Sequence, residues 1–205
     1  MIDCILPLKP FYLLRHGESE YNRLEIAAGG GVDTPLTEDG RAQAQALAAV
    51  LYHLLVKPSA IYHSHQSRAR DTAYIVNEVL GLPIQECPNI HEHEFGDWEG
   101  ISWPQLQDNF SAGLEPPNGE TKNGFAQRVR RGLYPVLEKE HDAPPLIVAH
   151  GGVFRAFGLL YGVDLRRIGN CELRLFEPDP SQTRFPWKMR MFKPDGGVLS
   201  SSFVS

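Results

Sequence analysis

Two histidines stand at similar places in this chain. Each follows a short apolar run and each precedes a glycine: Leu13-Leu14-Arg15-His16-Gly17 and Ile147-Val148-Ala149-His150-Gly151. Arg15 and His16 therefore sit at the lip of a buried element, where charge is costly to hold unless an anion comes to meet it. Arginine presents a planar fork of donors that matches phosphate oxygens. A neutral imidazole is a competent nucleophile near pH 7, its reference pKa being about 6.5. Arg15, His16, Arg68, His150 and an acid from the stretch HEHEFGDWEG (residues 91–100) would together suit phosphoryl transfer. One histidine attacks, the other histidine and two arginines hold the phosphoryl group, and a carboxylic acid protonates the leaving oxygen. This scheme requires no metal and no cofactor.

The elements that must position these groups alternate along the chain. Phe11–Leu14 reads as a buried strand bounded by Pro10 and Gly17. A helix begins after Leu36, with Thr37 placed to cap it and Glu38 and Asp39 in its first turn. Ala60–Tyr62 suggests a second strand, and SRARDTAYIVNEVLG a helix that Gly81 closes. From about Pro88 to Glu120 the patterns are irregular, so loops and one short helix are expected. FAQRVRRGLYPVLEKEH is helical, with Gly132 and Pro135 as places where it could kink. LIVAH is again a strand, GGVFRAFGLLYG a helix, and CELRLFEP and WKMRMFKP two last strands. Strands alternating with helices predict an α/β fold with a largely parallel sheet. No repeat or low-complexity linker interrupts the chain, so residues 1–205 read as one domain. Ligands of such sheets bind outside the carboxyl ends of the strands, where His16 and His150 would meet if their strands are neighbours.

Bulk properties set the remaining bounds. The 205 residues are 42% hydrophobic and 22% charged, with a net charge of −5. That balance gives no electrostatic reason to expect nucleic acid or an anionic membrane as a partner. Cys4, Cys87 and Cys171 are odd in number and widely spaced, which predicts free thiols in a reducing compartment. The opening MIDCILPLKP lacks a basic region and carries two prolines, unlike a signal peptide or an anchor. A cytoplasmic protein acting on a small phosphorylated molecule is expected.

The motifs RHGESEYN, SHQSRARDTA, HEHEFGDWEG, PNGET and VAHGGVFRAFG, in that order, resemble the histidine phosphatase superfamily in its phosphoglycerate mutase-like branch. The resemblance runs from Phe11 to about Cys171 and implies a three-layer α/β/α sandwich. It makes His16 the residue that is phosphorylated. Arg15, Arg68 and His150 would line the phosphate pocket, with Gly151 beside them and Asn22 adding a polar contact. Glu92, three residues before the Phe95-Gly96 pair, takes the family's proton-donor position, and Glu120 matches a further acidic position near the pocket. For the donor role, the pKa of Glu92 has to lie well above the reference of about 4.3. Glu94 and Glu99 are rival acids, Glu99 reading as structural in the WEG turn. Arg70 is expected in solvent and Trp98 in packing. The chain departs from the family pattern after Asn22. Ile26 stands where an arginine is usual, and Gly29, Gly30 and Gly31 form a loop able to close over substrate through backbone N–H groups or to move freely.

The residues favour a metal-independent phosphatase acting on small phosphate monoesters through a phosphohistidine. A phosphoglycerate mutase is the nearest alternative, although FGDWEG resembles the phosphatase side and the chain leaves little room for the mutase insertion. A non-catalytic phosphate-binding domain would have no need of the acid. A metal site is a further alternative: His63 and His65, and again His91 and His93, would each share one face of a strand.

Overall fold

The computed structural model describes residues 6–165, 168–192 and 198–201. Strand β1 (Phe11–Arg15) leads to a short helix α1 (Glu20–Arg23), then α2 (Glu38–Tyr52), β2 (Ile61–His63), α3 (Ser67–Leu80) and β3 (Ile84–Glu86). After a single 3-10 turn at Gly96–Trp98 come α4 (Trp103–Ser111), α5 (Lys122–Glu138), β4 (Leu146–Ala149) and α6 (Gly151–Leu160). Three strands finish the described chain: β5 (Leu173–Pro178), β6 (Trp187–Phe192) and β7 (Val198–Ser201).

The caps follow from side-chain chemistry. Thr37 accepts the Gly40 N–H at 2.9 Å to start α2, and Gly81 closes α3 in the left-handed conformation at φ 62°. Helix α5 starts earlier than its apolar pattern suggests, because Thr121 caps it. It runs through Gly132 and carries Pro135 in its last turn, where the missing N–H removes only one bond.

The sheet order is β3-β2-β4-β1-β5-β6-β7. The parallel sheet expected from the sequence is the half β3-β2-β4-β1; β5, β6 and β7 extend it antiparallel. Strand β1 lies in the middle, and its period-2 alternation feeds two cores. Phe11 and Leu13 face α5 and α6, packing with Val129, Phe154 and Phe157, while Tyr12 and Leu14 face α2 and α3, packing with Leu47, Leu51 and Val76. These two cores make the three α/β/α layers.

Register then places the chemistry. Arg15 pairs with Ala149 across the parallel β1–β4 ladder, so His16 and His150, one residue on, leave the same sheet edge side by side. Cys87 and Cys171 are free and buried, their thiols pushed up to about 12 by burial; Cys4 lies outside the described residues. Among the described residues no helix is long and apolar enough to cross a membrane.

Candidate active site

The carboxyl end of the parallel half opens into a cavity of about 790 Å³. Its polar wall contains Arg15, His16, Asn22, Arg68, Glu92 and Gly151, with Arg155 beside them. His150 stands directly behind His16, fully buried, with the two ring centroids 5.1 Å apart.

The His16 tautomer follows from its partner. Nδ1 lies 2.7 Å from the Gly17 carbonyl oxygen, which can only accept, so Nδ1 carries the proton and Nε2 keeps its lone pair. Burial first, and then the charges of Arg68 and Arg15, hold the His16 pKa well below 6.5, so the ring is neutral at pH 7. His150 is held well below 6.5 for the same first reason. Its Nε2 lies 2.9 Å from the Ser64 hydroxyl oxygen, which already accepts the Gln66 N–H at 3.3 Å. Among the described residues the buried Ser64 hydroxyl has no acceptor other than Nε2, so it donates there and His150 carries its own proton on Nδ1. Among the described residues that Nδ1 has no partner, and neither does Arg15 Nε. Two buried donors without acceptors, one on a cavity-lining arginine and one on the histidine packed behind His16, mark a place prepared for an anion.

Both arginines are oriented by carbonyls more than by carboxylates. Arg15 donates to the Ile168 carbonyl at 2.7 Å. Arg68, only 2% exposed, donates to the Gly29 carbonyl at 3.1 Å, the Val32 carbonyl at 3.3 Å and Gln66 Oε1 at 3.1 Å. Its nearest carboxylate is Asp33, at 3.7 Å and half exposed. Carbonyl groups fix these forks without cancelling their charge.

Glu92 differs from its expected state. Its Oε1 accepts the His93 N–H at 2.8 Å and its Oε2 the Gly152 N–H at 3.0 Å. Burial pushes the carboxyl up, but Arg155, these two N–H groups and Arg68 together outweigh it and set the pKa below its ordinary value. In the open site Glu92 is an anion, not the raised acid that the sequence reading required. The bond to Gly152 also explains that glycine, since a Cβ there would overlap Glu92 Oε1.

The remaining expected residues divide. Asn22 lines the cavity, and its Oδ1 accepts from the Ser19 N–H at 3.2 Å and from Asn170 at 2.9 Å. Glu120 is not brought to the cavity wall. Its two oxygens take Arg128 Nε at 2.7 Å and a second Arg128 nitrogen at 2.6 Å, and a carboxylate so neutralised is a brace for the acid loop. Glu99 is a brace as well: Oε1 accepts the Gly31 N–H at 2.8 Å and the Phe95 N–H at 3.3 Å. The triglycine loop is neither free nor reaching for substrate. Gly30 donates to the His93 carbonyl at 2.8 Å and Gly31 to Glu99, and a Cβ on Gly29 or Gly31 would strike the Glu99 carboxylate. Close packing is what the three glycines allow, and through the Gly29 carbonyl the loop aims Arg68. Arg70 points away and pairs with Asp71 at 3.0 Å; Trp98 packs edge-on against Phe110.

The four histidines of the metal alternative do not converge. Strand β2 ends at His63, whose Nδ1 meets the Ser64 carbonyl at 2.9 Å, so His65 is off the strand. His93 Nε2 meets the Glu120 carbonyl at 2.7 Å and its ring stacks on Phe125, leaving His65 and His91 as a pair with ring centroids 5.0 Å apart. Among the described residues no group of three or more His, Cys, Asp or Glu is placed to hold a metal ion.

Arg155 is a site residue that the sequence reading missed. The signal was present, because Gly151 and Arg155 are four apart on α6 and so share a face.

Comparison with known proteins fits this geometry. The sequence profile of the histidine phosphatase superfamily (branch 1) matches residues 11–187. A putative phosphoserine phosphatase 2 from Hydrogenobacter thermophilus is 36% identical over 177 residues, 81% of this chain and 85% of the relative. A probable phosphoglycerate mutase from Photorhabdus laumondii is 30% identical over 204 residues, covering 93% and 91%. Among solved structures, mycobacterial glucosyl-3-phosphoglycerate phosphatase superposes with a TM-score of 0.73 at 27% identity, over 89% of this chain and 97% of that one. The chain thus belongs to the histidine phosphatase superfamily, branch 1.

Proposed function

We infer that this protein is a phosphoric monoester hydrolase that passes the phosphoryl group through His16, without a metal. One observation carries the reading: a neutral imidazole with a bare Nε2 stands beside two arginines that carbonyls orient but do not neutralise. In the first step Nε2 attacks phosphorus in line while the bond from phosphorus to the ester oxygen breaks. Arg15, Arg68 and the Nδ1–H of His150 take the equatorial oxygens. Glu92 gives its proton to the departing alkoxide and becomes a carboxylate. Water then attacks the phosphohistidine as Glu92 takes one of its protons, the phosphorus–nitrogen bond breaks, and inorganic phosphate and neutral His16 are left.

Glu92 enters this cycle ionised, so its first proton must be taken up from solvent as the ester binds or come from the ester itself. A monoester dianion between Glu92 and the arginines raises the carboxyl by like-charge repulsion, and a monoanion can hand its own proton over. Hydrolysis of alkyl phosphates should therefore quicken as the pH falls from neutral, down to the point where His16 itself protonates, well below 6.5. Phosphate release from alkyl and aryl monoesters, unaffected by EDTA, tests the reading. A requirement for added metal ion would overturn it. The likeness to a probable phosphoglycerate mutase supports a second reading. Isomerisation of 3-phosphoglycerate faster than its hydrolysis would select that one.

A further inference from the structure

Helix α4 is amphipathic, yet it contributes no residue to either core. Trp103, Leu106 and Phe110, spaced three and four apart, form one stripe, and that stripe lines the cavity above His16. Trp103 remains 38% exposed. Leu159, 42% exposed, and Val163 line the same cavity, as does Ile26, which bridges to Ser102 at the start of α4 and stands where the family resemblance leads one to expect arginine. The wall is held in shape from behind. Phe110 stacks on His93 at 5.8 Å and meets Phe95 and Trp98 edge-on at 5.9 and 5.4 Å. Beyond His93 and the groups of the phosphate-binding floor, the polar side chains on the same cavity, Gln107, Ser111, Lys122, Arg155 and Asp164, are all exposed.

An apolar stripe with no core to cover it and a phosphate-binding floor beneath it implies an occupant that is anionic at one end and apolar at the other. The covalent bond to phosphorus decides which molecule that is. With the phosphoryl group against Arg15 and His16, the alcohol half of the ester has to extend into the rest of the cavity, which α4 and Leu159 line. Resting on the reading of the site as a monoesterase, we propose that its substrates are phosphate monoesters of apolar alcohols. The α4 stripe and Leu159 select them over phosphorylated hydroxy acids, amino acids and sugars.

A homologous series of n-alkyl phosphates, from methyl to hexyl, tests this without confusing binding with chemistry, because the leaving oxygens are almost equally basic. The expected kcat/KM rises with each carbon until the chamber is filled, by up to about fourfold per fully buried methylene. The matching alkylphosphonates, which cannot be hydrolysed at the ester position, should show the same rise in affinity by calorimetry. Leu106→Asp should flatten both series, and Leu159→Ser should reduce both slopes. Affinity and kcat/KM independent of chain length, or phosphoserine preferred over hexyl phosphate, would overturn the proposal. Phosphonate affinity that climbs with length in a protein releasing no phosphate from any ester would keep the apolar site and reject the hydrolase reading instead.

Discussion

The cations at the two sides of the sheet are treated differently. In the antiparallel strands two arginines are set directly against carboxylates: Arg174 against Glu172 at 2.5 Å and Arg190 against Glu177 at 2.6 Å. At the carboxyl edge of the parallel strands, Arg15 and Arg68 are held by the carbonyls of Ile168, Gly29 and Val32. Both arrangements fix a guanidinium in place. Only the second leaves positive charge over, and it does so beside a neutral histidine, with Arg15 Nε and His150 Nδ1 still lacking acceptors among the described residues. Cancelled charge serves structure, whereas charge that is oriented and left uncancelled is what an anion site requires.

The sharpest way to break this contrast is at the nucleophile. His16→Ala should lower turnover by more than about 10⁴-fold, the scale on which loss of a covalent nucleophile registers, while thermal unfolding shows the fold intact. Substantial residual activity would mean that the uncancelled charge serves binding only. Next in size is Glu92→Gln. Loss of a general acid is worth about 10²–10⁴-fold, and it should appear with alkyl phosphates but scarcely with p-nitrophenyl phosphate, whose leaving group needs no proton. Equal slowing of both would reduce Glu92 to a positioning residue. The antiparallel half should give the opposite phenotype. Trp187, buried edge-on against Phe11 at 5.4 Å, should lose about 3–5 kcal/mol of stability as Trp187→Ala, with kcat/KM per folded molecule unchanged. A catalytic defect in that variant would mean that the halves are not separable.

The smallest effect is a pH dependence of stability. His16 and His150 are buried with pKa values well below 6.5. The unfolded chain therefore binds protons below about pH 6.5 that the native state refuses. Stability is fully present above that pH and is lost as the pH falls, by at most about 1.4 kcal/mol per pH unit for each ring. Chemical denaturation at a series of pH values should show this slope shrinking in His16→Ala. An unchanged slope would mean that His16 is not held neutral by the fold.

Much of this site could be read from the sequence because its parts recur at strand ends. Arg15-His16 and His150 close strands whose apolar runs are plain, and β-sheet register then brings the imidazoles together. Strand β3 escaped detection because three residues with one partly buried apolar side chain carry no period. The runs at Leu173–Pro178 and Trp187–Phe192 announced strands, but a period of two is the same in either direction, so their antiparallel sense was not legible. Glu120 was placed by motif position, and only the fold shows Arg128 occupying both its oxygens. The ionised state of Glu92 depends on Arg155 and on the N–H of Gly152, groups sixty or more residues away. Spacing along the chain identifies which residues can do chemistry, whereas protonation depends on what three-dimensional packing sets beside them.

The central claim is that His16 Nε2 takes the phosphoryl group, and rapid quenching of the protein with a phosphate monoester tests it most directly. Mass spectrometry of the quenched protein should find one acid-labile, base-stable phosphoryl group, on the peptide that carries His16, formed and lost at rates compatible with turnover. Steady hydrolysis with no phosphoenzyme competent to account for it, or a phosphoryl group on any other residue, would contradict the account.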